Sequence, residues 1–136
     1  MATKTPITAK RTLYTDFFSD FYRNPVSQDL ARITNEEAVK QSIRNLLLTD
    51  KGERPYQPKL GSDIRKLLFE NIMPDTVILA KQIIRETIET YEPRANLIGV
   101  DVLANPDLHT IQIIVVFNVI NSEDDITLVT TLTRVR

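Results

Sequence analysis

The sequence predicts an α+β domain in which about three helices pack on a small C-terminal antiparallel meander of three strands. Two observations carry this. Apolar residues recur every three or four positions up to Tyr91 and every second position from Leu97 onward. The stretches between the later apolar runs are short and polar, so consecutive strands should pair with one another and the helices should gather on one face of the sheet. At 136 residues the chain suits one domain with a true core: an aromatic N-terminal segment over 1–32, a helical part over 33–91 and a sheet over 95–136.

Residues 1–32 have weak periodicity, yet Leu13, Tyr14, Phe17, Phe18, Phe21 and Tyr22 form an aromatic cluster that Asn24-Pro25 closes. Such a segment either folds back on the core or docks on a partner. Thr34 and Glu37 stand at capping-box spacing and start a helix whose apolar face is Val39, Ile43, Leu46 and Leu47. Asp50-Lys51-Gly52 ends it, with Gly52 suited to a left-handed residue just past the helix. Pro55 and Pro58 then dictate a stiff, irregular connection. A second helix is expected from about Ser62 to Glu70, capped by Ser62 or Asp63, with Ile64, Leu67 and Leu68 inward. Pro74-Asp75 opens a third, whose stripe is Val77, Ala80, Ile84, Ile88 and Tyr91.

Pro93 lacks an N–H and disfavours helical geometry at Glu92, so the third helix should stop near Tyr91. The first strand is expected over 97–103, with Ile98, Val100 and Val102 alternating. Asn105-Pro106-Asp107 signals a turn, and a strand over 108–120 follows with Ile111, Ile113, Val115, Phe117 and Val119 on one face. The acidic connection Asn121–Asp125 leads to a last strand from Ile126 to near Arg136.

Composition narrows the chemistry. Hydrophobic residues at 42% and charged residues at 26% describe a soluble globular chain, and a net charge of −1 argues against an electrostatic grip on DNA or an anionic membrane. The absence of cysteine excludes disulfides, iron–sulfur clusters and thiolate catalysis, and one histidine, His109, makes a His/Cys zinc site improbable. No apolar stretch reaches membrane-spanning length and Met-Ala-Thr-Lys-Thr-Pro carries no signal-peptide core. The chain is therefore expected to work where it is made, or inside an assembly built there.

Two features stand out as candidate sites. Beyond the helix end the backbone should be extended, so that Glu92 and Arg94 project together with the Pro93 ring between them. Taken alone, this pair reads as a solvated helix terminator. The terminal strand Thr127–Thr133 is rich in β-formers and has no inward charge; only Arg134 and Arg136 resemble edge protection. At a sheet edge it is a template for another chain, with Leu128, Thr130 and Leu132 as the residues expected to serve strand addition.

The runs Lys51–Asp63, Leu68-Phe69-Glu70-Asn71 and Tyr91-Glu92-Pro93-Arg94, in this order over residues 35–136, resemble the baseplate wedge proteins of contractile-tailed phages, a family often labelled "lysozyme-like" and marked by a Glu-Pro-Arg triplet. Related subunits occur in type VI secretion baseplates, and Val119–Asp125 looks like the T4-type branch. What the resemblance implies is a structural protein of the virion tail, assembled in the host cytoplasm, that joins the inner wedge and initiates the tail sheath. Its implied partners are other wedge subunits and the sheath protein, whose arms add strands to the sheet. Nucleic acid, membrane, small-molecule substrate, metal and cofactor are not implied. Glu92, Pro93 and Arg94 would meet the wedge core, and Gly52, Arg54, Pro55, Pro58 and Gly61 would form a structural loop motif, in which Gly and Pro satisfy backbone needs. The aromatic N-terminal segment departs most from the family.

Two other readings compete. A cell-wall glycosidase needs two carboxylates across a cleft, one with a raised pKa, and Glu53, Asp63, Glu70 and Glu92 qualify only as acids near bases or in polar stretches. No nucleophile–base pairing or phosphate loop appears, and His109 reads as a strand-surface residue. Composition alone does not exclude a generic adaptor that adds a strand to some other sheet; only the motif resemblance does so.

Overall fold

A computed structural model of the chain describes residues 11–70 and 73–134. Its order is β1 (Thr15–Phe17), β2 (Arg32–Thr34), α1 (Asn35–Leu48), α2 (Ile64–Leu67), α3 (Pro74–Tyr91), β3 (Ala95–Asn105), β4 (Thr110–Val119) and β5 (Asp125–Thr133). The expected architecture is present: three helices and an antiparallel sheet in the order β3-β4-β5. Ile111, Ile113, Val115, Phe117 and Val119 are buried, as the alternation predicts for a strand with one face on a core. They meet Val39, Ile43 and Leu47 of α1, Ile64 and Leu67 of α2, and Ala80, Ile84 and Ile88 of α3 in one hydrophobic cluster.

The aromatic segment holds a feature the sequence reading lacked. β1 and β2 form a short antiparallel hairpin ahead of α1. Its long connection is organised by Asn24, whose Oδ1 accepts from the backbone N–H groups of Val26 and Ser27. Tyr14 folds back and packs against the core, whereas Leu13, Phe17, Phe21 and Tyr22 stay exposed. Folding back on the core thus describes Tyr14 but not the exposed residues of the segment.

The start of α1 differs from the expected capping box. Thr34 is extended and paired with Thr15, and its side chain makes no cap hydrogen bond. Asn35 instead takes a left-handed conformation (φ 49°) and its Oδ1 accepts from the N–H groups of Leu13 (2.8 Å) and Tyr14 (3.3 Å). The helix start is thereby tied to the hairpin. At the other end Thr49 is extended, so Gly52, although left-handed at φ 90°, lies in the following loop rather than at the helix cap.

α2 is a single turn, shorter than the expected 62–70. Ser62 is drawn inward, its hydroxyl donating to the Leu47 carbonyl at 2.7 Å, and Asp63 is left-handed at φ 54°. Helix cannot begin before Ile64. Beyond Leu67 the chain continues only in tight turns, Phe69 N–H donating to the Lys66 carbonyl and Glu70 N–H to that of Leu67.

In β3 the register against β4 shifts between Leu97 and Gly99. This bulge changes which residues face inward: Ala95 and Leu97 before it, then Val100, Val102 and Ala104 after it, all against the core. Ile98, expected beside Val100 and Val102, is turned out to solvent. His109 is likewise displaced from its expected strand. It sits left-handed (φ 48°) at the end of the turn in which Asn105 Oδ1 accepts from Asp107 and Leu108.

Gly61 is where the loop after α1 returns to it. A Cβ here would lie 2.5 Å from the Thr49 carbonyl oxygen, on a backbone at φ 130°. Gly61→Ala should therefore destabilise the protein by about 3 kcal/mol or more, combining strain and overpacking. Gly52 has open space around its Cβ position, so Gly52→Ala should cost about 1–2 kcal/mol from conformation alone. Urea unfolding of the two variants checks this ranking, and equal losses would refute it.

Candidate functional site

Helix α3 delivers Glu92 to the junction with the sheet. Its N–H donates to the Ile88 carbonyl at 2.9 Å, and its own carbonyl accepts from Ala95 N–H at 3.1 Å, so Pro93 and Arg94 form a tight turn rather than extended backbone. This corrects the expectation that both charged side chains project outward. Glu92 is only 2% exposed. Its carboxylate accepts a two-pronged hydrogen bond from Arg94, Nε to Oε1 at 2.6 Å and Nη2 to Oε2 at 2.8 Å. The Ser42 hydroxyl of α1 donates to the same Oε2. Neither a solvated terminator nor a free charged pair describes this arrangement.

Arg94 faces two ways. Beneath it lies Glu92; above it, the Tyr14 ring centroid is 5.6 Å from the guanidinium carbon, within cation–π range. About a third of the Arg94 side chain (32%) remains exposed, and Pro93 is exposed beside it. Burial pushes the Glu92 carboxyl up, but the hydrogen bonds from Arg94 and Ser42 outweigh it and hold the group below its ordinary value. The same hydrogen bond raises Arg94.

On the terminal strand the predicted residues fall on the inner side. Leu128, Thr130 and Leu132 are buried. Their backbone direction follows from one hydrogen bond, Arg134 N–H to the His109 carbonyl at 3.1 Å. Counting back in the uninterrupted register, Leu132, Thr130 and Leu128 exchange hydrogen bonds with Ile111, Ile113 and Val115 of β4. Thr127, Val129, Thr131 and Thr133 direct their N–H and C=O groups away from β4, and all four are exposed. Among the described residues no strand pairs with that edge. Arg134, read as edge protection, instead lies over the Phe69 ring at 5.2 Å; Arg136 is outside the described residues.

Gly52 N–H donates to the Pro58 carbonyl (2.8 Å), while Arg54, Pro55 and Pro58 are exposed. Of the acids considered for catalysis, Glu53 accepts from the Asp50 N–H and Asp63 from that of Lys51. Burial raises Asp63, but Lys66 and the Lys51 N–H lower it further, so it too lies below the ordinary value. Asp63 and Glu92 are thus both moved away from what a general acid requires.

Ser42 and Tyr14 complete the junction; Tyr14 is expected only as a member of the aromatic cluster, and Ser42 is not expected at a site at all. Ser42 follows Val39 by three residues, on the border of the apolar stripe, which is the one signal that marks it. Glu92→Ala leaves the Ser42 hydroxyl and a part-buried guanidinium without their acceptor, and should cost about 3 kcal/mol, the low end of the usual range because Arg94 keeps access to water. The pH dependence has a fixed sign. A depressed carboxyl contributes stability that is complete above the unfolded value of about 4.3 and is lost as pH falls through the folded value. Urea midpoints measured down to acid pH should fall more steeply for the wild type than for Glu92→Gln; parallel curves would contradict the assignment.

Residues 34–123, well over half the chain, match the family described as baseplate wedge protein gp25. The chain is 33% identical to baseplate wedge protein gp25 of Enterobacteria phage T4 over 100 residues, which cover 74% of this chain and 76% of that one. Its fold is similar to a protein of Geobacter sulfurreducens described as a candidate tail lysozyme, with a TM-score of 0.67, 26% identity and coverage of 74% and 92% of the two chains. A chain of the anti-feeding prophage baseplate shares the fold at a TM-score of 0.62 and 22% identity, covering 88% and 85%. By the extent of the family match and the identity to the T4 protein, the chain belongs to the baseplate wedge protein gp25 family.

Proposed function

We propose that the chain is a structural component of the inner baseplate of a contractile phage tail or a related injection system, where it joins the wedge core and initiates the tail sheath. Family membership and the T4 relative support the baseplate role. The observation that carries sheath initiation is the open β5 edge, where four residues present backbone donors and acceptors with nothing paired to them among the described residues. An arm of a sheath subunit laid along β5 would gain main-chain hydrogen bonds, with its alternate side chains fixing register. A groove of about 710 Å³ lies between α1, the hairpin and Leu128, with Phe18, Ile33, Lys40 and Arg44 in its wall, next to where such an arm would pass.

The wedge contact falls to Pro93 and Arg94 rather than to the whole triplet. Pro93 and part of the guanidinium are accessible, and Tyr14 broadens the surface, while Glu92 holds Arg94 in place from inside. The protein acts by binding, in the virion tail after assembly in the host cytoplasm. The glycosidase reading, kept in view by the description of the Geobacter protein, lacks a proton-holding carboxyl at either of the two shifted acids. Purified protein should leave peptidoglycan suspensions turbid.

Proline scanning of β5 tests the edge. Thr131→Pro removes an N–H that points away from β4, so the variant should fold and enter baseplates yet fail to nucleate sheath. Leu132→Pro removes a ladder donor to β4 and should lose stability as well. Sheath of normal length on baseplates carrying folded Thr131→Pro or Val129→Pro would overturn strand addition at β5.

A further inference from the structure

The loop between α1 and α2 is more rigid than its lack of helix or strand suggests. Besides the Gly52–Pro58 hydrogen bond, Gln57 N–H donates to the Arg54 carbonyl and Leu60 N–H to that of Gln57, both at 3.1 Å. Its base is pinned from outside by Tyr91 Oη, which donates to the Lys59 carbonyl at 2.8 Å, and by Lys51 N–H, which reaches Asp63 Oδ1 at 3.2 Å. Pro55 and Pro58 fix two further φ angles. Yet the side chain at the tip has no contact to justify this order: Tyr56 is 98% exposed. A tyrosine on a mobile loop could fold down onto the protein; this loop holds its tyrosine away from it.

Cationic residues flank Tyr56 in the chain. Arg54 and Lys59 are exposed and form no ion pair among the described residues. Glu53, the acid between Gly52 and Arg54, is turned back onto the Asp50 N–H. The loop thus presents an exposed aromatic residue on a hydrogen-bonded backbone, with exposed cations two and three residues away in the chain. Tyr and Arg are the residue types that dominate interface hot spots, and order already present before binding reduces the entropy lost in docking.

We propose that Tyr56, flanked by Arg54, is a preformed plug that seats in an apolar pocket rimmed by carboxylates on a neighbouring protein subunit of the assembly. This rests on the baseplate reading, and it is a contact separate from the Pro93–Arg94 surface and the β5 edge. A protein partner is favoured over nucleic acid, because the loop offers few cations and the chain as a whole carries a net charge of −1.

The test replaces Tyr56 in the full chain with the photocrosslinker p-benzoylphenylalanine, with a second probe at Thr131, in cells that assemble the particle. Irradiated purified particles should yield a cross-link from position 56 to one other protein subunit, at a segment containing Asp or Glu. Tyr56→Ala should keep the wild-type melting temperature, and both it and Arg54→Glu should enter particles at least roughly tenfold less. No cross-link at 56 in particles where the Thr131 probe reacts would overturn the plug alone. So would a cross-link only to nucleic acid, wild-type incorporation of Tyr56→Ala, or a lowered melting temperature of that variant. Wild-type chain absent from the particles would overturn the baseplate reading and the plug together.

Discussion

One buried carboxylate ties this protein together. Glu92 receives Arg94 from the start of the sheet and Ser42 from α1, while its own backbone closes α3 and opens β3. Arg94 extends the network: its carbonyl accepts from Ile120 N–H at the end of β4, and its guanidinium lies over Tyr14. Tyr14 is in turn held by Asn35 at the start of α1. Removing one partner from such a network costs more than the pair contributes over an apolar substitute, because the remaining charge and hydroxyl stay part-buried without their acceptor. The Glu-Pro-Arg triplet is thus first a constraint on how helices meet sheet, and its accessible part is what remains for a partner.

With the junction fixed, the sheet keeps one side for the core and leaves the β5 edge unpaired among the described residues. The inward residues of β5 are Leu128, Thr130 and Leu132, packed or paired with β4, and the outward ones are Thr127, Val129, Thr131 and Thr133. Because the side-chain period of a strand is two, core packing and the open edge occupy alternate residues of the same nine-residue strand. The edge is hazardous in a free chain, which a soluble protein would ordinarily protect with an inward charge or a covering element. A subunit destined for an ordered assembly has a use for it.

Much of the fold was legible in the sequence. The change of period near Pro93, the turn at Asn105-Pro106-Asp107 and the inward set Ile111 to Val119 all correspond to observed elements. Local competition explains the departures. Thr34 is taken up by pairing with Thr15, so it does not cap, and Ser62 is drawn inward by the Leu47 carbonyl, so α2 shortens. Gly99, an isolated glycine in a strand pattern, was a signal for the bulge that turns Ile98 outward. The least legible feature was the direction of Glu92. Its partner Ser42 lies fifty residues upstream, and no spacing rule connects them. A charged pair on either side of a proline suggests a surface; only the packed tertiary structure shows that its acid points inward.

The central claim is that Glu92 and Arg94 act on each other before either acts on a partner. A double-mutant cycle on the isolated protein, using Glu92→Gln and Arg94→Met singly and together, measures this directly in urea unfolding. The account predicts a coupling energy of about 1.5–3 kcal/mol, as expected for a charge-assisted hydrogen bond with one buried partner. Additive losses, with coupling near zero, would contradict it.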